Sequence, residues 1–316
     1  MKLLYPVIYA LWCALSLLPL RLLYVFSDAV SWLMFRVIKY RHKTILKNLS
    51  SSFPEKNERE IRLLERNFYR YLCDYFVETV KLMTMSERQL CRRMTFTGME
   101  ELNRVLDKGQ SCAIYLGHYG NWEWIVSLPL WTSDHVQCGQ IYHPLENASF
   151  DRLFLKVRER FGARCIPMKD TLRSILQYRQ QKKVVCIGYI SDQAPHWSNI
   201  HHWIDFLHHD TPVLTGAERI VKSVDHAVFY GDVTRPRRGY YNCEMRLISE
   251  HPKGQSDWNI TDIYFKELEN TILRAPELYL WSHKRWKRTR EEFNRRYTYR
   301  DGKVIKRSEE LIVTTK

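Results

Sequence analysis

Ser111-Cys112-Ala113-Ile114-Tyr115-Leu116-Gly117-His118-Tyr119-Gly120-Asn121-Trp122-Glu123-Trp124 is the stretch around which this chain is organised. Its first six residues read as a buried strand. His118 and Glu123 stand five positions apart, and five helical steps of about 100° would place them on separate faces. They meet only if the chain turns between them, and Gly117 and Gly120 permit that turn. Asn121 then reads as an N-cap that puts Glu123 in the first turn of a following helix, where a carboxylate is favoured. A carboxylate beside an imidazole fixes its tautomer and stabilises the imidazolium, which makes His118 a candidate general base with Glu123 as its partner. A histidine with a glutamate five residues on is a common pattern by itself. The strand–glycine–histidine–turn context is what points to catalysis, because catalytic groups favour loops at the carboxyl ends of strands.

The chain has 316 residues, enough for one large domain or two small ones. Hydrophobic residues make up 45% and mean hydropathy is −0.41, which excludes a polytopic membrane protein. A formal charge of +14 points to an anionic partner: nucleic acid, acidic lipid or a phosphorylated substrate. The eight cysteines form no C-x-x-C pair, and Cys112 and Cys186 sit in apolar runs, so a reduced, cytosol-facing protein is expected.

From Leu3 to Leu20 there is no charged residue, a length at the lower edge for crossing a bilayer. Pro6 and Pro19 argue against one perfect helix. The run nevertheless reads as a membrane anchor, because the bulky residues from Arg21 to Tyr24 make a poor signal-peptide cleavage site. Arg36, Lys39, Arg41, His42, Lys43 and Lys47 follow, which places the bulk of the chain on the cytoplasmic side, against an anionic leaflet. The expected organisation is therefore residues 1–48 as anchor and basic juxtamembrane segment, 49–300 as the catalytic domain, and 301–316 as a loosely ordered tail.

Beyond the anchor, helical spacing from Glu55 to Met83 marks a helix packed on the core, and a second is expected from Met99 to Lys108. After the His118 motif, strands are expected at Val136 to Tyr142, Arg164 to Pro167, Val184 to Ile190, Ala227 to Val233 and Tyr240 to Ser249. Helices are expected at Phe150 to Phe161, Thr171 to Gln180, Pro212 to Ser223 and Asp262 to Arg274. The alternation means an α/β fold, a mixed sheet flanked by helices.

Gly117 to Trp124, Ser191-Asp192-Gln193 at a strand end, and Pro276-Glu277-Leu278-Tyr279-Leu280-Trp281-Ser282-His283-Lys284-Arg285-Trp286-Lys287 together resemble the late acyltransferases of bacterial lipid A synthesis. The resemblance runs from the anchor to about Arg288. It implies a glycerolipid-acyltransferase-like fold and an enzyme of the inner membrane, with its catalytic domain on the cytoplasmic face. Such an enzyme moves a fatty acyl chain from an acyl-carrier-protein thioester to a hydroxyl of a lipid A precursor. On this resemblance His118 matches the general base and Glu123 its carboxylate partner. No cofactor, metal or nucleic acid is implied, since a thioester is already activated and needs only a base and oxyanion stabilisation.

Arg158, Arg160 and Arg164 lie on or just after one helix, and an arginine in this neighbourhood is linked to the active site in the resembling enzymes, with Arg158 favoured. Asp192 stands at the end of the clearest strand, as a second carboxylate or as a plain turn residue. Arg285, in a cluster of cations with an aromatic, suits a phosphate-bearing headgroup or an acidic carrier protein. The loop from His196 to Asp210 holds five histidines and two aspartates without a standard metal spacing, and reads as a polar surface loop. Where the resembling enzymes carry a Gly-containing turn, this chain has His208-His209-Asp210. Two other readings compete: the same chemistry on another glycolipid or aminolipid, and a non-catalytic anionic-lipid-binding membrane protein. A serine hydrolase is disfavoured, because there is no Gly-x-Ser-x-Gly elbow.

Overall fold

The computed structural model describes residues 4–307. Its centre is a seven-stranded mixed sheet of order β1-β9-β8-β2-β5-β3-β4. In chain order these strands are β1 (Met94–Thr97), β2 (Cys112–Leu116), β3 (Val136–Tyr142), β4 (Arg164–Pro167), β5 (Val184–Ile190), β8 (Ala227–Arg237) and β9 (Tyr240–Ser249). A separate hairpin, β6 (His202–Phe206) with β7 (His209–Val213), interrupts the series. Only β8 and β9 pair antiparallel within the large sheet. β2 lies in the middle, parallel to both β8 and β5, and every one of its residues is buried. A strand covered on both faces carries a continuous apolar run instead of an alternating one, as Cys112 to Leu116 does.

Helices α1 (Leu4–Leu17), α2 (Leu20–Leu33), α3 (His42–Ser52), α4 (Glu58–Leu82) and α5 (Glu87–Cys91) precede the sheet; α6 (Met99–Asp107), α7 (Ala148–Arg158), α8 (Thr171–Gln180), α9 (Gly216–Val224) and α10 (Asn259–Arg274) flank it. α4 begins at a full capping box, Asn57 accepting from the Glu60 amide while the Glu60 carboxylate accepts from Asn57 N–H. Its polar residues Asp74 and Glu78 face inward and hold α2: Ser27 donates to Asp74 at 2.7 Å and Tyr24 to Glu78 at 2.7 Å.

Five expectations change. The anchor is not one helix. Proline lacks an N–H and disfavours helix at the residue before it, so the chain breaks at Leu18-Pro19 and turns by 111°. No single described helix is long and apolar enough to cross a membrane. Position 48, the expected domain boundary, falls inside α3, where the Asn48 amide donates to the carbonyls of Trp281 and His283 at 2.8 and 2.9 Å. The helix expected from Pro212 starts only at Gly216, because Pro212 and Val213 belong to β7. The His-rich loop is a β-hairpin around Leu207-His208, both at positive φ (51° and 64°). A two-residue hairpin turn needs that conformation, and it is normally given to Gly or Asn. A hairpin turn is therefore present here without a glycine, where a polar surface loop was expected. Finally, α11 (Arg290–Arg296) leads into an antiparallel pair, β10 (Tyr297–Arg300) with β11 (Lys303–Lys306), so pairing continues past residue 300. The rest of the expected tail, 308–316, lies outside the described residues.

Candidate active site

β2 and β5 run parallel with Leu116 opposite Ile190. Two residues beyond each strand end stand His118 and Asp192, so the register brings them level. The Asp192 carboxylate accepts from the His118 ring at Nδ1 (2.6 Å) and from the His118 backbone N–H (3.0 Å). Burial of Asp192 acts to raise its pKa, but the charge and hydrogen bonds of His118 outweigh that and hold the carboxyl below its usual range. An ionised carboxylate at Nδ1 keeps the ring proton there and leaves the Nε2 lone pair free. Nε2 lies 3.3 Å from the Gln193 side-chain amide, and the imidazole keeps 20% of its surface open.

The loop is held in place by its backbone. Gly120 N–H donates to Leu278 O (3.0 Å), and Leu280 N–H donates to His118 O (3.2 Å). The string after Ala275 thus lies antiparallel along Tyr119. Tyr71 of α4 donates to Gly120 O (2.6 Å), and Tyr264 of α10 donates to Leu116 O (2.7 Å). The two glycines serve different purposes. Gly120 has φ +60°, and a Cβ on Gly117 would sit 2.5 Å from Leu268 Cδ1. One glycine supplies the turn; the other lets α10 approach.

Glu123, expected beside the imidazole, pairs elsewhere. Arg158 grips it with Nε to Oε2 at 2.8 Å and Nη2 to Oε1 at 2.6 Å, and Tyr75 OH donates to Oε1 at 3.3 Å. Trp122 stands between, its ring 5.3 Å from His118 and 4.1 Å from Tyr75. Asn121 caps as expected, accepting from Trp124 N–H at 3.1 Å, but the turn it opens is 3-10 (Trp124–Trp131) with Pro129 inside it. Glu123 therefore precedes no α-helix. The Asn121 amide also donates to Glu78 at 2.7 Å. Burial and the nearby Asp74 push Glu78 up to about 7, against donors from Tyr24, Tyr241 and Asn121 that favour its charge.

Of the three arginines, the structure brings only Arg158 to the loop. Arg160 donates to the Leu82 and Met85 carbonyls and so closes the end of α4. Arg164 is exposed on edge strand β4. Arg285 is 1% exposed and cannot meet a headgroup in solvent; its Nη2 donates to Pro212 O, while Nε and Nη1 have no partner. It sits where its charge favours ionised Asp192. His283 accepts from Ala194 N–H at Nε2 (3.2 Å), and burial lowers its pKa to about 4, which keeps it neutral. Gln193, Tyr75, Trp122 and His283 were not singled out one by one from sequence. The available signal was their place beside Asp192, within the His118 motif, or in the string after Pro276. Among the described residues, no three His, Cys, Asp or Glu side chains converge as a metal site would require, and all eight cysteines are free.

The family profile described as bacterial lipid A biosynthesis acyltransferase matches residues 2–288. The lipid A biosynthesis lauroyltransferase of Escherichia coli (strain K12) is 25% identical over 297 residues, 93% of this chain and 89% of that protein. The lipid A biosynthesis myristoyltransferase of the same strain is 23% identical over 189 residues, 59% of this chain and 56% of its own. A lipid A biosynthesis acyltransferase of Haemophilus influenzae is 20% identical over 239 residues, 74% of this chain and 72% of its own. The profile spans the sheet, the His118 loop and the string after Ala275, and on it and these relatives the chain belongs to the bacterial lipid A biosynthesis acyltransferase family and is an acyltransferase.

Proposed function

We propose that the chain transfers a fatty acyl group from an acyl-carrier-protein thioester to a hydroxyl of a lipid A precursor, with His118 as general base oriented by Asp192. One observation carries this reading: the 2.6 Å contact of His118 Nδ1 with a buried carboxylate, beneath an imidazole that keeps part of its surface open. The acceptor hydroxyl gives its proton to Nε2 as its oxygen attacks the thioester carbonyl. The tetrahedral oxyanion then collapses, the C–S bond breaks, and the leaving thiolate takes the proton back from Nε2. Gln193, whose amide lies 3.3 Å from Nε2, is assigned to the oxyanion. Glu123 contributes through Arg158 and Trp122, by fixing the wall against which His118 stands.

The protein meets the membrane through the bent α1–α2 pair, lying on one leaflet and facing the cytoplasm. Leu11, Leu15, Leu18, Leu22, Phe26 and Trp32 are exposed along it. An unpartnered apolar face of that kind, flanked by cations, is what an interfacial helix presents. Tyr24 and Ser27 tie α2 to the buried acids of α4, which favours lying over crossing.

The test is acyl gain by mass spectrometry, with detergent-solubilised protein, a carrier-protein thioester and a phosphorylated disaccharide lipid acceptor. Wild type adds an acyl chain; His118→Ala and Asp192→Asn lose nearly all of that activity. Full activity in His118→Ala would remove the mechanism and leave the family assignment standing. Thioester consumption with other membrane lipids alone would move the acceptor.

A further inference from the structure

A basic concavity borders the string that fixes the His118 loop. α3 forms one wall and residues 284–291 the other, enclosing a cleft of about 650 Å³. That volume suits a small-molecule headgroup. Lys43 and Lys47 enter from α3; Lys284, Lys287 and Arg288 enter from the opposite wall. Among the described residues, none of these five cations has a carboxylate within 4.0 Å. Of the two carboxylates in the lining, Asp210 is already gripped by Arg290 through two bonds of 2.6 Å, and Glu291 pairs with none of the five.

The cleft is built as well as charged. Arg288 has Nε and Nη1 buried without a hydrogen-bond partner, and its guanidinium lies 5.4 Å from the Trp197 ring centre. His209, from the hairpin that replaced the expected loop, stacks at 4.0 Å on Trp286, whose indole N–H donates to Thr211. His209 Nε2 is buried and unpaired too. Burial and then the charges of Arg288 and Lys284 hold the Lys287 ammonium below its usual range, as expected of cations crowded without an anion.

The cleft and the base share one segment. Asn48, in the cleft lining, donates to the carbonyls of Trp281 and His283. His283 reaches the other way, to Ala194, next to the Gln193 that touches His118. The segment thus shows His283 to the base and Lys284 and Lys287 to the cleft.

We propose that this cleft is a phosphate site that holds the acceptor's phosphorylated headgroup while a neighbouring hydroxyl reaches His118; this rests on the function proposed above. The chemistry recognised is a phosphate monoester or diphosphate, met by a guanidinium fork and converging ammonium groups. A concave floor with stacked aromatics favours a headgroup over the broad surface of an acidic protein.

Two measurements test it, on detergent-solubilised wild type and on the variant Lys47→Glu/Lys287→Glu, whose side chains are exposed. In calorimetric titration, inorganic pyrophosphate binds wild type, and the variant binds it at least about tenfold more weakly. In the acyl-transfer assay, wild type shows a KM about tenfold lower for a bisphosphorylated disaccharide lipid than for its dephosphorylated form, and the variant loses that preference. Wild type without pyrophosphate binding and without phosphate preference would overturn the site while acyl transfer stands. A variant with raised KM for the carrier-protein thioester alone would overturn it in favour of protein docking. If no acceptor is acylated, the proposed function fails, and the pyrophosphate titration still decides the cleft.

Discussion

Two carboxylates border the His118 loop, and they differ in how they got there. Glu123 is five residues from His118 in the chain, yet it pairs with Arg158 on α7. Asp192 is 74 residues away, yet it holds the imidazole, because strands β2 and β5 are parallel neighbours in register. Local spacing sets what a loop can do by itself; sheet register sets what two loops do together. In a parallel sheet, groups just past the ends of adjacent strands are delivered to the same edge without any short motif between them.

The largest expected effects break this comparison at His118. His118→Ala and Asp192→Asn should each lower kcat by on the order of 10³–10⁴-fold, since one removes the proposed base and the other its ionised partner. Both variants should keep wild-type near-ultraviolet circular dichroism. Glu123→Gln should fail differently, by about 3 kcal/mol of stability, because Arg158 is left largely buried and uncompensated. Denaturant unfolding reads that loss, while kcat per folded molecule falls far less than in Asp192→Asn. If Glu123→Gln kept its unfolding midpoint but lost activity as Asp192→Asn does, the division of labour drawn here would be wrong.

A smaller effect sharpens the same contrast through Glu78, which bonds the Asn121 side of the loop. Its folded pKa of about 7 lies above the ordinary glutamate value of 4.5. The folded state therefore binds the proton more tightly, and wild-type stability should fall as pH rises from about 4.5 through about 7, then level off. The full span is on the order of 3 kcal/mol. Glu78→Gln should flatten that slope in thermal melts between pH 5 and pH 8; an unchanged slope would assign it to other groups. The smallest expected effect is His208→Gly. Relief of a left-handed residue at the hairpin turn should raise stability by about 0.5–1 kcal/mol, read as an increase in Tm.

Much of the sheet was legible from runs of apolar residues. Val184–Ile190, Arg164–Pro167 and Tyr240–Ser249 sit where their patterns put them. The β6–β7 hairpin was not legible, because its turn is Leu207-His208 and not the Asn-Gly or Asp-Gly that announces such turns. Leu207 stays in place because it is buried and its N–H reaches Glu269 at 2.7 Å, a contact made across 62 residues. His118 was legible as a histidine in the loop at a strand end, but the carboxylate that holds it was not, since register between β2 and β5 leaves no trace in either strand alone. The inward acids of α4 were hidden for a related reason. Asp74 and Glu78 lie among apolar neighbours, and partners distant in the chain, α2, Asn121, Arg238 and Tyr241, explain why a carboxylate is tolerated there.

The antiparallel contact between the His118 loop and the string after Ala275 also has a consequence for timing. The Tyr119 hydroxyl bonds the Ala275 carbonyl across 156 residues. At about 5–20 residues per second on the ribosome, the loop is made roughly 8–30 s before the segment that braces it. During that interval His118 and its glycines are present but unbraced, so the nascent chain carries the residues of an enzyme before it carries the enzyme.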